Sequence, residues 1–164
     1  EAGVGPTAEE RYRLVLEGVP NYPFFKQFWG LFREHNARGV ASTYPKVAGM
    51  VDTDSFRLDP ARPMESLAEH MIHAYCNWNM PLRTRLIERY VREYAADGVV
   101  IHSIKSCRSF SMGQGDIREY LAKECDIPTL LIESDHVDPR YFSEAQTRNR
   151  VDAFFETLSV RGRT

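Results

Sequence analysis

Apolar positions along this chain switch between two periods, and the switch recurs four times. Leu14-Val15-Leu16 is a short unbroken apolar run closed by Gly18-Val19-Pro20-Asn21, which predicts a strand and a turn. Residues 24–35 then place Phe25, Phe28, Trp29 and Phe32 on one helical stripe. Residues 39–43 form a short second strand ending at Tyr44-Pro45, and residues 49–63 carry no periodicity. Pro63 stands at the position that favours a helix start, and Met64, Leu67, Ala68, Met71, Ile72 and Tyr75 follow at helical spacing, predicting a core-facing stripe. Asn77 and Pro81 interrupt it. A further helix over 82–94 directs Leu86, Ile87, Tyr90 and Val91 inward.

The central strand is Val99-Val100-Ile101, β-branched and without alternation, as expected of a strand covered on both faces. It is predicted to open into a polar loop holding His102, Ser106, Cys107 and Arg108. Gly113 and Gly115 would relax the backbone before a helix carrying Ile117, Tyr120 and Leu121. A fourth buried strand spans 129–132, with Glu133-Ser134-Asp135-His136 at its polar end. The last helix begins at Ser143, where Ser143-x-x-Gln146 matches a capping box, and is anchored by Val151, Phe154, Phe155 and Leu158. The alternation predicts an α/β fold: a flavodoxin-like parallel sheet of about four strands, order 2-1-3-4, with helices on both faces. Residues 1–10 read as a linker or tail, 11–158 as one domain and 159–164 as a tail.

Charge and composition narrow the partners. The chain has 164 residues, is 43% hydrophobic and 27% charged, and carries a net charge of −2. That balance suits one globular domain and disfavours a nucleic-acid groove or a polybasic membrane surface. No apolar run is long enough to span a bilayer, and the polar amino end does not read as a signal peptide, so a cytoplasmic protein is expected. The sequence begins at Glu1 without Met, which suggests part of a longer polypeptide. Cys76, Cys107 and Cys125 are odd in number and show no paired spacing, which argues against a disulfide framework.

In open α/β sheets ligands collect at the carboxyl ends of the strands. Four strand ends should meet there: Asn21 with Tyr22, Ser42-Thr43-Tyr44, His102 to Arg108, and Glu133 to His136. Cys107, beside Lys105 and Arg108 and just before a helix, is either a nucleophile, a metal ligand or an ordinary loop thiol. A nucleophile would need a base, for which His102 and His136 are candidates. Cys125 continues the Ile117–Leu121 stripe and is expected to be a packed thiol. His70-x-x-His73-x-x-Cys76 fans over a broad arc and is expected to face solvent or a partner. Gly113-Gln114-Gly115 is too short for a dinucleotide fingerprint.

One family resemblance runs through these residues. Asp97-Gly98-Val99-Val100, His102, Ser106-Cys107-Arg108, Gly113-Gln114 and Ile127-Pro128-Thr129-Leu130 occur in its order. Glu133-Ser134-Asp135, Asp138-Pro139-Arg140, then Gln146, Arg150, Ala153-Phe154 and Glu156 complete it, and Glu17-Gly18 with Pro20 looks like its beginning. The chain resembles the carboxy-terminal domain of a subunit of the 2-hydroxyacyl-CoA dehydratase and benzoyl-CoA reductase family. The Ser-Cys-Arg and Asp-Pro-Arg forms are nearer the benzoyl-CoA reductase branch. The resemblance implies one-electron, radical-type chemistry on an acyl-CoA thioester in anaerobic metabolism, either benzoyl-CoA ring reduction or reversible dehydration of an (R)-2-hydroxyacyl-CoA. It implies a [4Fe-4S] cluster with Cys107 as one ligand and the others from an amino-terminal domain. It also implies a paralogous second subunit forming a heterodimer, and a separate ATP-dependent iron–sulfur activator. His102, Ser106 and Arg108 become candidate catalytic residues; Ser42, Thr43, Tyr44, Gln114, Glu133 and Asp135 become candidate pocket residues. The alternative classes are a non-catalytic scaffold subunit that keeps the fold, and a nucleotide- or flavin-binding flavodoxin-like module.

Overall fold

A computed structural model describes residues 9–45 and 58–161. The irregular stretch 49–63 therefore lies largely outside the described residues. The chain runs β1 (Tyr12–Glu17), α1 (Phe25–Glu34), β2 (Ala37–Ser42), α2 (Pro63–Ile72), a 3-10 turn (Tyr75–Asn77), α3 (Met80–Glu93), β3 (Gly98–Ile104), α4 (Arg108–Ser111), α5 (Gln114–Glu124), β4 (Thr129–Ser134), a second 3-10 turn (Pro139–Tyr141) and α6 (Glu144–Arg161). Among the described residues the four strands form one parallel sheet in the order β2-β1-β3-β4, as the alternation predicts. Leu14 pairs with Gly98, and Val99 through Ile104 pair with Thr129 through Ser134.

Because successive strand side chains point to opposite faces, the sheet divides the apolar residues into two cores. Leu14, Val100, Leu130 and Ile132 pack with Phe28, Leu31 and Phe32 of α1 and Val151, Phe154, Phe155 and Leu158 of α6. Val15, Val99 and Ile101 pack with Leu86, Ile87 and Tyr90 of α3 and Ile117 and Leu121 of α5. Full burial of one such side chain stabilises the fold by about 1.5–3 kcal/mol. In α1 the inward face is Phe28, Leu31 and Phe32, whereas Phe25 is exposed and Trp29 is half-buried. The helix stops where Asn36 takes a left-handed φ of 55°, so β2 begins two residues earlier than its apolar run suggests.

Three local expectations are corrected. The stripe on α2 does not face the core: Met64 is 73% exposed and Ile72 67%, and Ser66 is the buried residue of this helix. Periodicity reports that a helix has an apolar side, not what covers it. Tyr75, placed on the same stripe, lies beyond the helix and is fully buried. Residues 129–132 are not buried throughout: in β4, last in the sheet order among the described residues, Leu131 is half-buried and Glu133 exposed. Gly115 lies inside α5 with open space around it, so only Gly113, at φ 75° before the first turn, serves as a backbone hinge.

Candidate functional site

All four strands point their carboxyl ends at one edge, and the turn after β3 is its centre. β3 is longer than the apolar run, continuing through His102 and Ser103 to Ile104, all buried. His102 is thus a strand residue and not part of a polar loop. Its Nδ1 contacts the Val19 carbonyl, an acceptor only, so Nδ1 carries the proton. Nε2 then accepts from the Ser134 hydroxyl, whose oxygen accepts from Asn21 Nδ2 at 3.0 Å. Burial pushes the His102 imidazole below its ordinary value. With both nitrogens engaged inside the protein, His102 ties the loop after β1 to β3 and β4 and is no free base.

That arrangement carries a pH signature. The folded protein keeps His102 neutral more strongly than the unfolded chain does, so protonation favours unfolding. Its contribution is complete above the ordinary imidazole value of about 6.5 and is lost as pH falls below it, toward the depressed folded value. Denaturant midpoints recorded between pH 7.5 and pH 5 should fall with acidity, and a His102→Gln variant should lose that component.

The Cys107 turn is anchored on either side of the thiol. Cys107 is half-buried and precedes the single turn of α4; its carbonyl accepts from Phe110 N at 3.3 Å and Ser111 N at 3.0 Å. Ser106 N donates to Asp135 Oδ2 at 2.9 Å, and Asp135 Oδ1 accepts from Val137 N at 2.9 Å and Asp138 N at 3.0 Å. Burial alone would raise the Asp135 pKa, but the Ser106 hydroxyl and these amides outweigh it and hold the carboxyl well below the usual range. Asp135 is therefore a fixed anion that staples the β3 and β4 turns together. On the rim, Ser106 Oγ lies 3.3 Å from His136 Nδ1, which is 3.7 Å from Asp135 Oδ1. Lys105, a sequence neighbour of the thiol, is paired with Glu133 at 3.0 Å. Arg108 is exposed.

Beneath the turn is a buried polar knot that the spacing of residues along the chain does not single out. Glu17, with a fully buried side chain, pairs with Arg83 at 3.0 Å and accepts from Tyr75 Oη at 2.9 Å and from Thr43 Oγ1. Arg83 also donates to the Ser109 carbonyl at 3.1 Å. Burial drives the Tyr75 hydroxyl far above its ordinary pKa. For Arg83, the Tyr75 and Glu17 contacts outweigh burial and raise its pKa. The signal in the sequence was an arginine on the inward stripe of α3, in step with Ile87 and Tyr90.

The remaining candidates divide between knot and surface. Thr43 belongs to the knot, Ser42 Oγ accepts from Tyr44 N at 3.2 Å, and Tyr44 meets the Tyr22 hydroxyl at 2.6 Å on the surface. Gln114 is buried, with Nε2 3.5 Å from the His102 carbonyl and Oε1 unpartnered. Cys125 is half-buried at the end of α5, which runs back toward the opposite edge, and burial raises its thiol pKa. Cys76 lies on the 3-10 turn that packs beside α4, its Sγ 4.0 Å from Asn77 Oδ1. Among the described residues no three His, Cys, Asp or Glu side chains are grouped to hold a metal ion by themselves.

A family model for 2-hydroxyglutaryl-CoA dehydratase, D-component, matches residues 1–158. The chain is 47% identical over 157 residues to a benzoyl-CoA reductase subunit of Thauera aromatica, covering 96% of this chain and 36% of that protein. It is 25% identical over 156 residues to the alpha subunit of (R)-2-hydroxyglutaryl-CoA dehydratase from Acidaminococcus fermentans, covering 93% of this chain and 30% of that one. Similarity to the alpha subunit of (R)-2-hydroxyisocaproyl-CoA dehydratase from Clostridioides difficile is 24% over 153 residues, covering 93% and 36%. The chain thus spans about a third of the length of these relatives. With nearly its whole length matched and the sheet order agreeing with the reading from sequence, this chain belongs to the 2-hydroxyglutaryl-CoA dehydratase, D-component family.

Proposed function

We propose that this chain is the carboxy-terminal, iron–sulfur-ligating domain, residues 11–158, of a cytoplasmic acyl-CoA reductase or dehydratase subunit, with benzoyl-CoA as the first substrate candidate and an (R)-2-hydroxyacyl-CoA as the second. The observation that carries the reading is the placement of Cys107: a half-buried thiol at the carboxyl edge of the sheet, held in a turn fixed from two sides. A cluster shared with another domain needs only one thiol from this edge, and Cys125 lies at the end of α5 with its pKa raised by burial. The identity to a benzoyl-CoA reductase subunit supports the choice of substrate.

When bound, a [4Fe-4S] cluster supplies single low-potential electrons, with ATP used only by a separate activator. The chain's own residues do the rest. Cys107 Sγ would hold one iron of that cluster. Asp135 and Arg83 fix the backbone on either side of it. Ser106 Oγ and His136 Nδ1 lie 3.3 Å apart at the rim as a polar pair open to a substrate, and exposed Arg108 offers a cation to an anionic substrate. A paralogous second subunit completes the enzyme. No helix among the described residues is long and apolar enough to cross a membrane.

The test is metal and sulfide analysis of the full-length subunit, purified without oxygen together with its partner. The expected result is about four iron atoms and matching sulfide per cluster, with an electron paramagnetic resonance signal that changes when benzoyl-CoA is added. An iron-free preparation would point to a scaffold subunit, and a bound flavin to a flavodoxin-like carrier; either overturns the reading.

A further inference from the structure

We infer that Arg83 is the positioning residue of the Cys107 turn, a two-armed clamp that ties the backbone beside the thiol to the buried Glu17 carboxylate. Its meaning for catalysis rests on Cys107 being the cluster ligand; the clamp itself rests on geometry.

The turn cannot hold itself. α4 is four residues long, and one helical turn is unfavourable to form alone because it fixes several dihedral angles for little bonding. Something outside must hold it. On the amino side Ser106 N is bound to Asp135. On the carboxyl side Arg83 Nη1 donates to the Ser109 carbonyl at 3.1 Å, two residues after Cys107, while Nη2 donates to Glu17 Oε1 at 3.0 Å. The guanidinium lies 5.0 Å from the Tyr75 ring centroid and 5.8 Å from that of Phe110, itself a residue of α4. Its side chain is 4% exposed, and Nε is buried without a partner.

An ion pair with Glu17 needs only a positive charge, which a lysine would supply. Reaching the Ser109 carbonyl at the same time needs the rigid fork of an arginine. The orphaned Nε shows that the two Nη contacts set the placement of the side chain. Glu17 is in turn fixed by Tyr75 and Thr43, so the clamp relays the positions of the β1 and β2 ends to the Cys107 turn.

Arg83→Lys separates the two roles, because it keeps the charge opposite Glu17 and gives up the second arm. In this chain the Ser111 and Met112 amides, which donate to the Cys107 and Arg108 carbonyls, are expected to exchange with solvent about tenfold faster or more. Iodoacetamide labelling of Cys107 should change by a similar factor. Protection of β3 amides, labelling of Cys125, and the unfolding midpoint should stay near those of the unsubstituted chain. In the iron-loaded full-length enzyme the same substitution should shift the cluster's electron paramagnetic resonance spectrum at unchanged iron content. Arg83→Gln serves as the companion variant, expected to lose the midpoint as well. A folded Arg83→Lys chain with unaltered Ser111 and Met112 exchange and unaltered Cys107 labelling overturns the clamp. Uniform loosening of every amide overturns it too, leaving Arg83 a general stabiliser. Failure of the cluster reading appears separately, as absence of iron in the unsubstituted enzyme while the exchange result stands.

Discussion

Cys107→Ser in the full-length enzyme is expected to abolish acyl-CoA turnover and to lower bound iron while leaving the fold in place. The thiol is half-buried and contributes to the core only at its margin, so the substitution should cost less than about 1 kcal/mol of stability. Its chemical cost is far larger. Serine is a harder and poorer ligand for iron–sulfur chemistry than thiolate. Changes to mere outer-sphere partners of metal sites already cost about 10–100-fold in affinity or activity, and loss of a ligand should exceed that. Cys76→Ser and Cys125→Ser are the controls: one thiol is on a 3-10 turn, the other at the end of α5 with its pKa raised by burial. Both should retain iron and turnover. The measurement is iron content and acyl-CoA consumption without oxygen; full iron with normal turnover in the Cys107 variant would leave that residue an ordinary thiol.

The largest effect on stability should come from Glu17→Gln. The substitution keeps the size of the side chain and removes the charge paired with Arg83 at 3.0 Å in a setting where the two side chains, Arg83 and Glu17, are 4% and 0% exposed. Breaking one partner of a buried pair typically costs about 3–5 kcal/mol, because the remaining charge stays buried without compensation. Against a total stability of about 5–15 kcal/mol this is a large share. Guanidinium unfolding should show it as a lower midpoint. The double variant Glu17→Gln with Arg83→Met should recover much of the loss, since no buried charge remains of the pair. A loss below about 1 kcal/mol in the single variant would mean that the pair is effectively solvated.

The parts of the fold legible in the sequence were those in which a residue's surroundings follow from its neighbours along the chain. The unbroken run at Val99–Ile101 announced a doubly covered strand, and the α6 anchors Val151, Phe154, Phe155 and Leu158 are all buried as their spacing predicts. The rest depended on distant groups. β4 alternates between buried and less buried residues where the central β3 is buried throughout, a difference set by position in the sheet and not by the segment. His102 looked like the start of a loop because imidazole is polar; the structure gives both its nitrogens partners, from the loop after β1 and from β4, and the strand runs on. Arg83 was hidden for the opposite reason: an arginine among apolar helix positions passes for a solvent-reaching side chain until the Glu17 carboxylate is placed opposite it.

The bonds that define the setting of Cys107 are separated widely in sequence: 29 residues between Ser106 and Asp135, 66 between Glu17 and Arg83, 83 between Val19 and His102, and 113 between Asn21 and Ser134. Contacts of this kind form late, because the entropy of closing long loops must be overcome before any of them is made. The environment of the thiol therefore comes into being only when the sheet is complete. On the proposed reading, cluster loading would follow completion of the sheet, and a nascent or clipped polypeptide would carry the cysteine without that setting.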